Sequence, residues 1–127
     1  MGATEFDKPL DHDLDELNSK ITTGTNVDFT LKTGVTFTVE ESNCKIFGGL
    51  YCCDIKLMPT TNITTGEKPL ATVSVAPSVA LCGVVVKPSN SQIVGSFFVN
   101  SDKNVYINFT ESIPNATALY ASVCGCA

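Results

Sequence analysis

The sequence predicts a mainly β protein, in which a short N-terminal helix, over about residues 8–21, precedes a β-sandwich or barrel-like body. Near the N-terminus, apolar residues recur four, three and four positions apart, which is typical of a helix that packs along one stripe. From Asn26 onward the apolar period changes to two, which is typical of strands. The chain has 127 residues, of which 43% are apolar, and this is enough to form the core of one domain.

The residues that flank the N-terminal stripe favour a helix. Asp7 can accept hydrogen bonds from the free amides of a first turn, and Pro9 fits that turn because its missing N–H would have no partner there. Gly24 is suited to end the segment. The stripe consists of Leu10, Leu14, Leu17 and Ile21.

At about four turns, such a helix is too short to self-associate through its stripe alone. Two interpretations therefore stay open: the helix packs on its own β body, or it assembles copies of the chain with help from that body. We favour assembly, and we expect two units, an arm with the helix over residues 1–24 and a β-rich domain over residues 25–127.

Alternating apolar residues predict eight or nine strands in the body. Residues 27–31 and 35–39 flank a Lys-Thr-Gly turn and are predicted to form a hairpin. Residues 93–99 and 105–109 flank a polar turn and form the clearest predicted hairpin, and residues 119–126 form a last strand. This number of strands after one helix predicts a sandwich or a barrel.

The charge pattern argues against nucleic acid as a partner. The net charge is −5, the eight basic residues are scattered lysines, and arginine, which grips phosphates and guanine edges, does not occur. The N-terminus lacks the basic start and apolar core of a signal peptide, and no apolar run reaches the length of a membrane span. We expect synthesis in the cytoplasm.

The chain carries little that catalysis would need. His12 is the single histidine and lies among aspartates of the predicted helix. No nucleophile, phosphate-binding or dinucleotide motif occurs, so we expect no enzymatic activity, no cofactor and no metal.

Six cysteines leave three alternatives open. They can be small buried side chains that stay reduced in a cytoplasm, they can form disulfides after release from the cell, or three or four of them can bind zinc without the usual spacing. Cys52 and Cys53 should face opposite sides of a strand, whereas Cys124 and Cys126 should share one side. For a disulfide, we expect Cys124 or Cys126 to pair with Cys52 or Cys53.

Two tyrosines are candidates for ligand contact. Tyr106 and Tyr120 fall on the strand faces opposite the apolar residues. At such positions they can bind a ligand, face solvent, or lie in a subunit contact.

Three short segments carry a family resemblance. Residues 4–11, TEFDKPLD, followed by a short helix, resemble the N-termini of small tail- and head-fibre virion proteins of phages that infect Firmicutes. The strands IVGSFFV and VYINFT, at residues 93–99 and 105–110, resemble the closing β-hairpins of those proteins. The resemblance implies a non-enzymatic homotrimer on the virion surface, assembled in the bacterial cytoplasm, with other virion proteins and host surface glycans as partners.

A second function fits the strand pattern without the resemblance. A monomeric, carbohydrate-binding β-sandwich of a bacterium would place the helix on its own sheet and expose aromatic side chains on a concave face.

Overall fold

The computed structural model describes residues 24–127. The helix predicted over residues 8–21 and its apolar stripe lie outside the described residues. The helix, the role of the stripe and the unit boundary near residue 24 therefore stay predictions.

The described residues form strands and turns and contain no helix, which confirms the mainly β prediction. The strands are β1 Thr25–Asn26, β2 Phe29–Leu31, β3 Phe37–Phe47, β4 Leu50–Pro59, β5 Gly66–Val73, β6 Leu81–Lys87, β7 Gln92–Val99, β8 Asn104–Phe109 and β9 Leu119–Cys126. They form one antiparallel sheet in the order β1-β3-β4-β9-β6-β7-β8-β5-β2.

The sheet is curled, because its two edge strands are close neighbours in the chain. β1 and β2 lie at opposite ends of the strand order, yet only Val27 and Asp28 separate them. The amide of Val27 donates to the carbonyl of Cys44 in β3, while the carbonyl of Asp28 accepts from Ser74, just beyond β5. This two-residue link holds both edges together and gives the body a barrel-like shape.

One predicted hairpin is wrong. Residues 29–31 pair with β5, not with β3, and β3 pairs with β4 instead. The turn at residues 32–34 carries the chain from the edge strand β2 to β3, which lies next to the opposite edge strand β1, so the strands on its two sides do not pair. The hairpin predicted over residues 93–99 and 105–109 is confirmed as β7 and β8, and the last strand as β9.

The core lies on the concave, inner face of the sheet. Phe37 of β3 and Phe109 of β8 stack inside it with ring centroids 6.0 Å apart, although their strands are far apart in the strand order. All side chains that are fully buried in the described residues are apolar, apart from the Tyr51 hydroxyl. The outer face and the two ends of the sheet therefore carry the groups available for contacts.

Candidate functional site on the outer face

Strict alternation along the central strands separates the two faces of the sheet. In β4, Cys53, Ile55 and Leu57 are buried, while Asp54 is exposed and Lys56 half-buried. β9 repeats the pattern, with Ala121 buried between exposed neighbours. Since successive side chains of a strand point to opposite faces, the polar members of β4 and β9 come to lie side by side on the outer face.

A groove of about 710 Å³ runs over these polar side chains, across β3, β4 and β9. Glu41 contributes from β3, Asp54 and Lys56 from β4, and Tyr120 and Ser122 from β9. The strand register explains the arrangement, because Lys56 lies opposite both Glu41 and Tyr120, and Asp54 lies opposite Ser122.

Hydrogen bonds and charges order the groove. The hydroxyl of Ser122 donates to Oδ1 of Asp54 at 2.5 Å. Lys56 Nζ lies 3.5 Å from Oε2 of Glu40 and 5.8 Å from the centre of the Tyr120 ring. Tyr120 and then Glu40 raise the pKa of Lys56, so this ammonium stays charged. The groove thus offers carboxylate acceptors, one cation and an aromatic ring, which is a set suited to a hydroxyl-rich ligand.

The structure places the two candidate tyrosines apart. Tyr120 lines the groove on β9, whereas Tyr106 lies on β8, three strands away in the sheet. Lys32 Nζ lies 5.2 Å from the centre of the Tyr106 ring. The two rings therefore do not form one site, and Tyr120 is the one that lies in a groove.

Four of the six cysteines form disulfides in the structure. Cys52 is joined to Cys124, and Cys53 is joined to Cys44. Cys82 and Cys126 are free and exposed. Within residues 24–127, no group of three or more histidine, cysteine, aspartate or glutamate side chains is placed to hold a metal ion.

The partner of Cys53 was missed, although the sequence carries a signal for it. Gly48 and Gly49, both with positive φ, form the turn between β3 and β4. A two-residue glycine turn fixes the register of a hairpin, and counting outward from it places Cys44 opposite Cys53. The groove gave no comparable signal, because β9, which supplies Tyr120 and Ser122, is distant in the chain from the β3–β4 hairpin that supplies its other residues.

An apolar patch continues the outer face beyond the groove. Val86 of β6 is paired with Tyr120 of β9 on one side and with Ile93 of β7 on the other. Val84, two residues before Val86, is the next side chain of β6 on the same face. Ile93 is 60% exposed and Tyr120 45%. We call Val84, Val86, Ile93 and Tyr120 the outer apolar patch; contiguous exposed apolar surface of this kind is typical of an interaction site.

The two ends of the body differ. Residue 24, which follows the undescribed segment, lies at the end of β3, since a Cβ on Gly24 would be 3.1 Å from the carbonyl oxygen of Ile46. The C-terminus lies at the same end, where the amide of Ala127 donates to the carbonyl of Gly49 at 3.0 Å. Ser78 also donates to Ala127 there, and its neighbour Val79 is 70% exposed. We call this the entry end. At the opposite end lie polar, threonine-rich loops over residues 60–65 and 110–118.

Comparisons with known proteins give a fold likeness and no family. No protein-family model matches the sequence, and no curated protein matches it. A crystal structure of the fibre head domain of the Atadenovirus snake adenovirus 1, in its F23 crystal form, is similar with a TM-score of 0.43 and 10% identity, over 80% of this chain and 96% of that one. The I213 crystal form of the same domain gives 0.42 and 13%, over 78% and 85%. These values are too low to transfer a function.

Residues 24–127 contain no helix that is long and apolar enough to cross a membrane.

Proposed function

We propose that this chain is a non-enzymatic virion appendage protein, of the head-fibre or tail-fibre type found in phages that infect Firmicutes, and that it assembles as a homotrimer. The observation that carries the proposal is that the two ends of the β body differ. The segment bearing Leu10, Leu14, Leu17 and Ile21 joins the body at the entry end. The same end exposes Val79, whereas the opposite end carries polar loops.

This difference between the ends fits an attached subunit whose entry end faces the particle and whose opposite end faces the surroundings. In the proposal, the stripe packs against its copies along the assembly axis, and other virion proteins hold the N-terminal arm. Val84, Val86 and Ile93 of the outer apolar patch supply most of the area between β bodies, because apolar surface is stabilised when a partner removes it from water, whereas Tyr120 at the edge of the patch stays in the groove. The protein is placed on the virion surface after assembly in the bacterial cytoplasm.

The groove is the proposed point of host contact. Its carboxylates, with Lys56 and Tyr120, can bind hydroxyl-rich glycans of a host surface. The same groove favours the second candidate, a monomeric carbohydrate-binding module, since a groove of this kind functions without assembly. The oligomeric state therefore separates the two candidates.

Light scattering on the full chain at micromolar concentration tests the proposal. We expect three times the mass of one chain. The double substitution Leu14→Asp and Leu17→Asp should shift the protein towards monomer while the β circular-dichroism signal stays, because the stripe is proposed to lie outside the β core. Ile93→Lys, in the outer apolar patch, should weaken assembly separately.

The matched control places the same new charges off the stripe, at His12→Asp and Ser19→Asp, and should stay trimeric. A parent protein that is monomeric over the whole concentration range overturns the proposal, and glycan binding by that monomer would establish the second candidate. Loss of the β signal in the stripe variant would mean that the stripe packs on its own sheet.

A further inference from the structure

Four cysteines share the outer face near the entry end: Cys52, Cys82, Cys124 and Cys126. Cys124 is disulfide-bonded to Cys52 of β4, on one side of β9. On the other side of β9 lies β6, whose register with β9 pairs Val84 with Ser122. The recorded pairing ends there, and the same register continued by two residues would place Cys82 opposite Cys124.

Two flanking contacts show that β6 and β9 stay together at this position. A Cβ on Gly83 would lie 2.8 Å from the Cα of Val123, and one on Gly125 would lie 2.5 Å from Cδ2 of Leu81. The absence of side chains at these two glycines permits the close approach. Cys82 and Cys124 lie between these contacts. A continued antiparallel register would put their Cα atoms about 4.5–5.5 Å apart, which is a distance that a disulfide can span.

Cys82 supplies a free thiol beside the Cys52–Cys124 disulfide. Cys82 is an exposed free thiol, Cys124 is exposed, and Cys52 is half-buried. Attack on a disulfide requires an accessible thiolate and an accessible sulfur. Both requirements are met by Cys82 and Cys124 on the outer face.

We propose that Cys52, Cys82 and Cys124 form an intramolecular thiol–disulfide exchange site. The Cys82 thiol loses its proton to solvent, and the thiolate attacks Sγ of Cys124. A Cys82–Cys124 bond forms as the Cys52–Cys124 bond breaks, and Cys52 leaves as a thiolate that takes a proton from solvent. One disulfide and one thiol are present before and after, so the exchange needs no oxidant or reductant.

The exchange moves a covalent link from β4–β9 to β6–β9. The other disulfide takes no part, because Cys44 and Cys53 are buried on the inner face. Cys126 is a poorer partner for Cys124, because two residues along one strand place their Cα atoms about 6.6 Å apart, near the upper limit for a disulfide.

Labelling of the full-length Cys126→Ser protein tests the exchange. This variant keeps one free thiol among the three sulfur atoms of the site, and its substitution lies at an exposed position. The protein is incubated natively at mildly alkaline pH, quenched with acid, denatured, labelled with N-ethylmaleimide and mapped by peptic digestion. We expect label on Cys52 as well as on Cys82, rising to a plateau at a rate independent of protein concentration, together with a peptide that links Cys82 to Cys124.

A second variant tests the geometry by a separate route. With Cys52→Ala and Cys126→Ser, the site keeps two thiols, and oxidised glutathione should convert them into a Cys82–Cys124 disulfide with loss of both thiols. Cys82→Ser in this background is the control and should yield only a glutathione adduct. Circular dichroism verifies that each variant keeps its β signal.

Both results are required. Label confined to Cys82 at every time, or a double variant that gives only glutathione adducts while folded, overturns the proposal. A rate that rises with protein concentration also overturns it, because the exchange would then occur between molecules.

Discussion

Cys52 and Cys53 are neighbours in β4, yet they lie in two different environments. Cys53 is fully buried, and its disulfide to Cys44 is part of the inner-face core. Cys52 is half-buried, and its disulfide to Cys124 lies on the outer face with the free thiol of Cys82 on the adjacent strand. One step along the chain thus changes a cysteine from a packing residue into a reactive one.

The difference extends over the whole sheet. The inner face holds the large buried side chains, and the outer face holds the groove, the outer apolar patch and the reactive sulfur atoms. Because a strand turns successive side chains to opposite faces, stability and contact chemistry are carried by alternate residues of the same strands. Substitutions at adjacent positions therefore test the comparison directly.

Phe97 and Phe98 of β7 should show the largest contrast. Phe97 is fully buried on the inner face, while Phe98 is half-buried on the outer face. Phe97→Ala should lower the free energy of unfolding by about 3–5 kcal/mol, because it leaves a cavity among packed neighbours. Phe98→Ala should lower it by less than about half as much, since solvent already reaches that ring. Urea denaturation without reductant measures both, and equal losses would contradict the two-face description.

The two disulfides should separate under mild reduction. The outer one is the more accessible, and it closes the longer stretch of chain, since its cysteines are 72 positions apart in the sequence and those of the inner pair are 9 positions apart. Chain-entropy arguments give a disulfide about 2–4 kcal/mol, with longer loops at the upper end. Reducing the outer disulfide first should therefore remove the larger share of this stabilisation.

Alkylation during a titration with reductant measures the order of release. Cys52 and Cys124 should be labelled before Cys44 and Cys53, and the denaturation midpoint should fall in that first step. Cys82→Ser serves as the background, so that exchange with the free thiol does not move the label. Earlier labelling of Cys44 and Cys53 would show that burial on the inner face does not protect them.

The sequence predicted the parts of the fold that depend on local pattern. Alternation over residues 93–99 and 105–109 was sufficient for β7 and β8, because a short polar turn joins them and pairing is local. The pairing of β2 with β5 was not predicted, since it joins residues about forty positions apart and depends on the closure through Val27 and Asp28.

The candidate site shows the same limit. The place of Tyr120 on the face opposite the buried residues of β9 followed from the alternation of that strand. Its neighbours Lys56 and Glu41 did not follow, because they are brought beside it by the order of β3, β4 and β9 in the sheet. Strand order is set by the packing of the whole core, and the local alternation of apolar and polar residues does not reveal it.

The smallest expected effect concerns the Tyr51 hydroxyl, which within residues 24–127 is the one buried hydroxyl of the inner face. It donates to the carbonyl of Val75 at 2.6 Å, and burial raises the pKa of Tyr51 to about 12. An unfolded tyrosine ionises near pH 10, so the unfolded chain releases a proton where the folded one does not. Its contribution to stability is fully present below about pH 10 and is lost as the pH rises towards 12. The loss should be at most about 2 kcal/mol, since the acceptor carbonyl belongs to Val75, which is 40% exposed.

Tyr51→Phe should flatten the pH dependence of the free energy of unfolding between about pH 9 and 11 relative to the parent. If the free energy of unfolding of Tyr51→Phe falls as steeply with rising pH as that of the parent, other groups cause the loss at alkaline pH, and burial of the Tyr51 hydroxyl does not contribute to it.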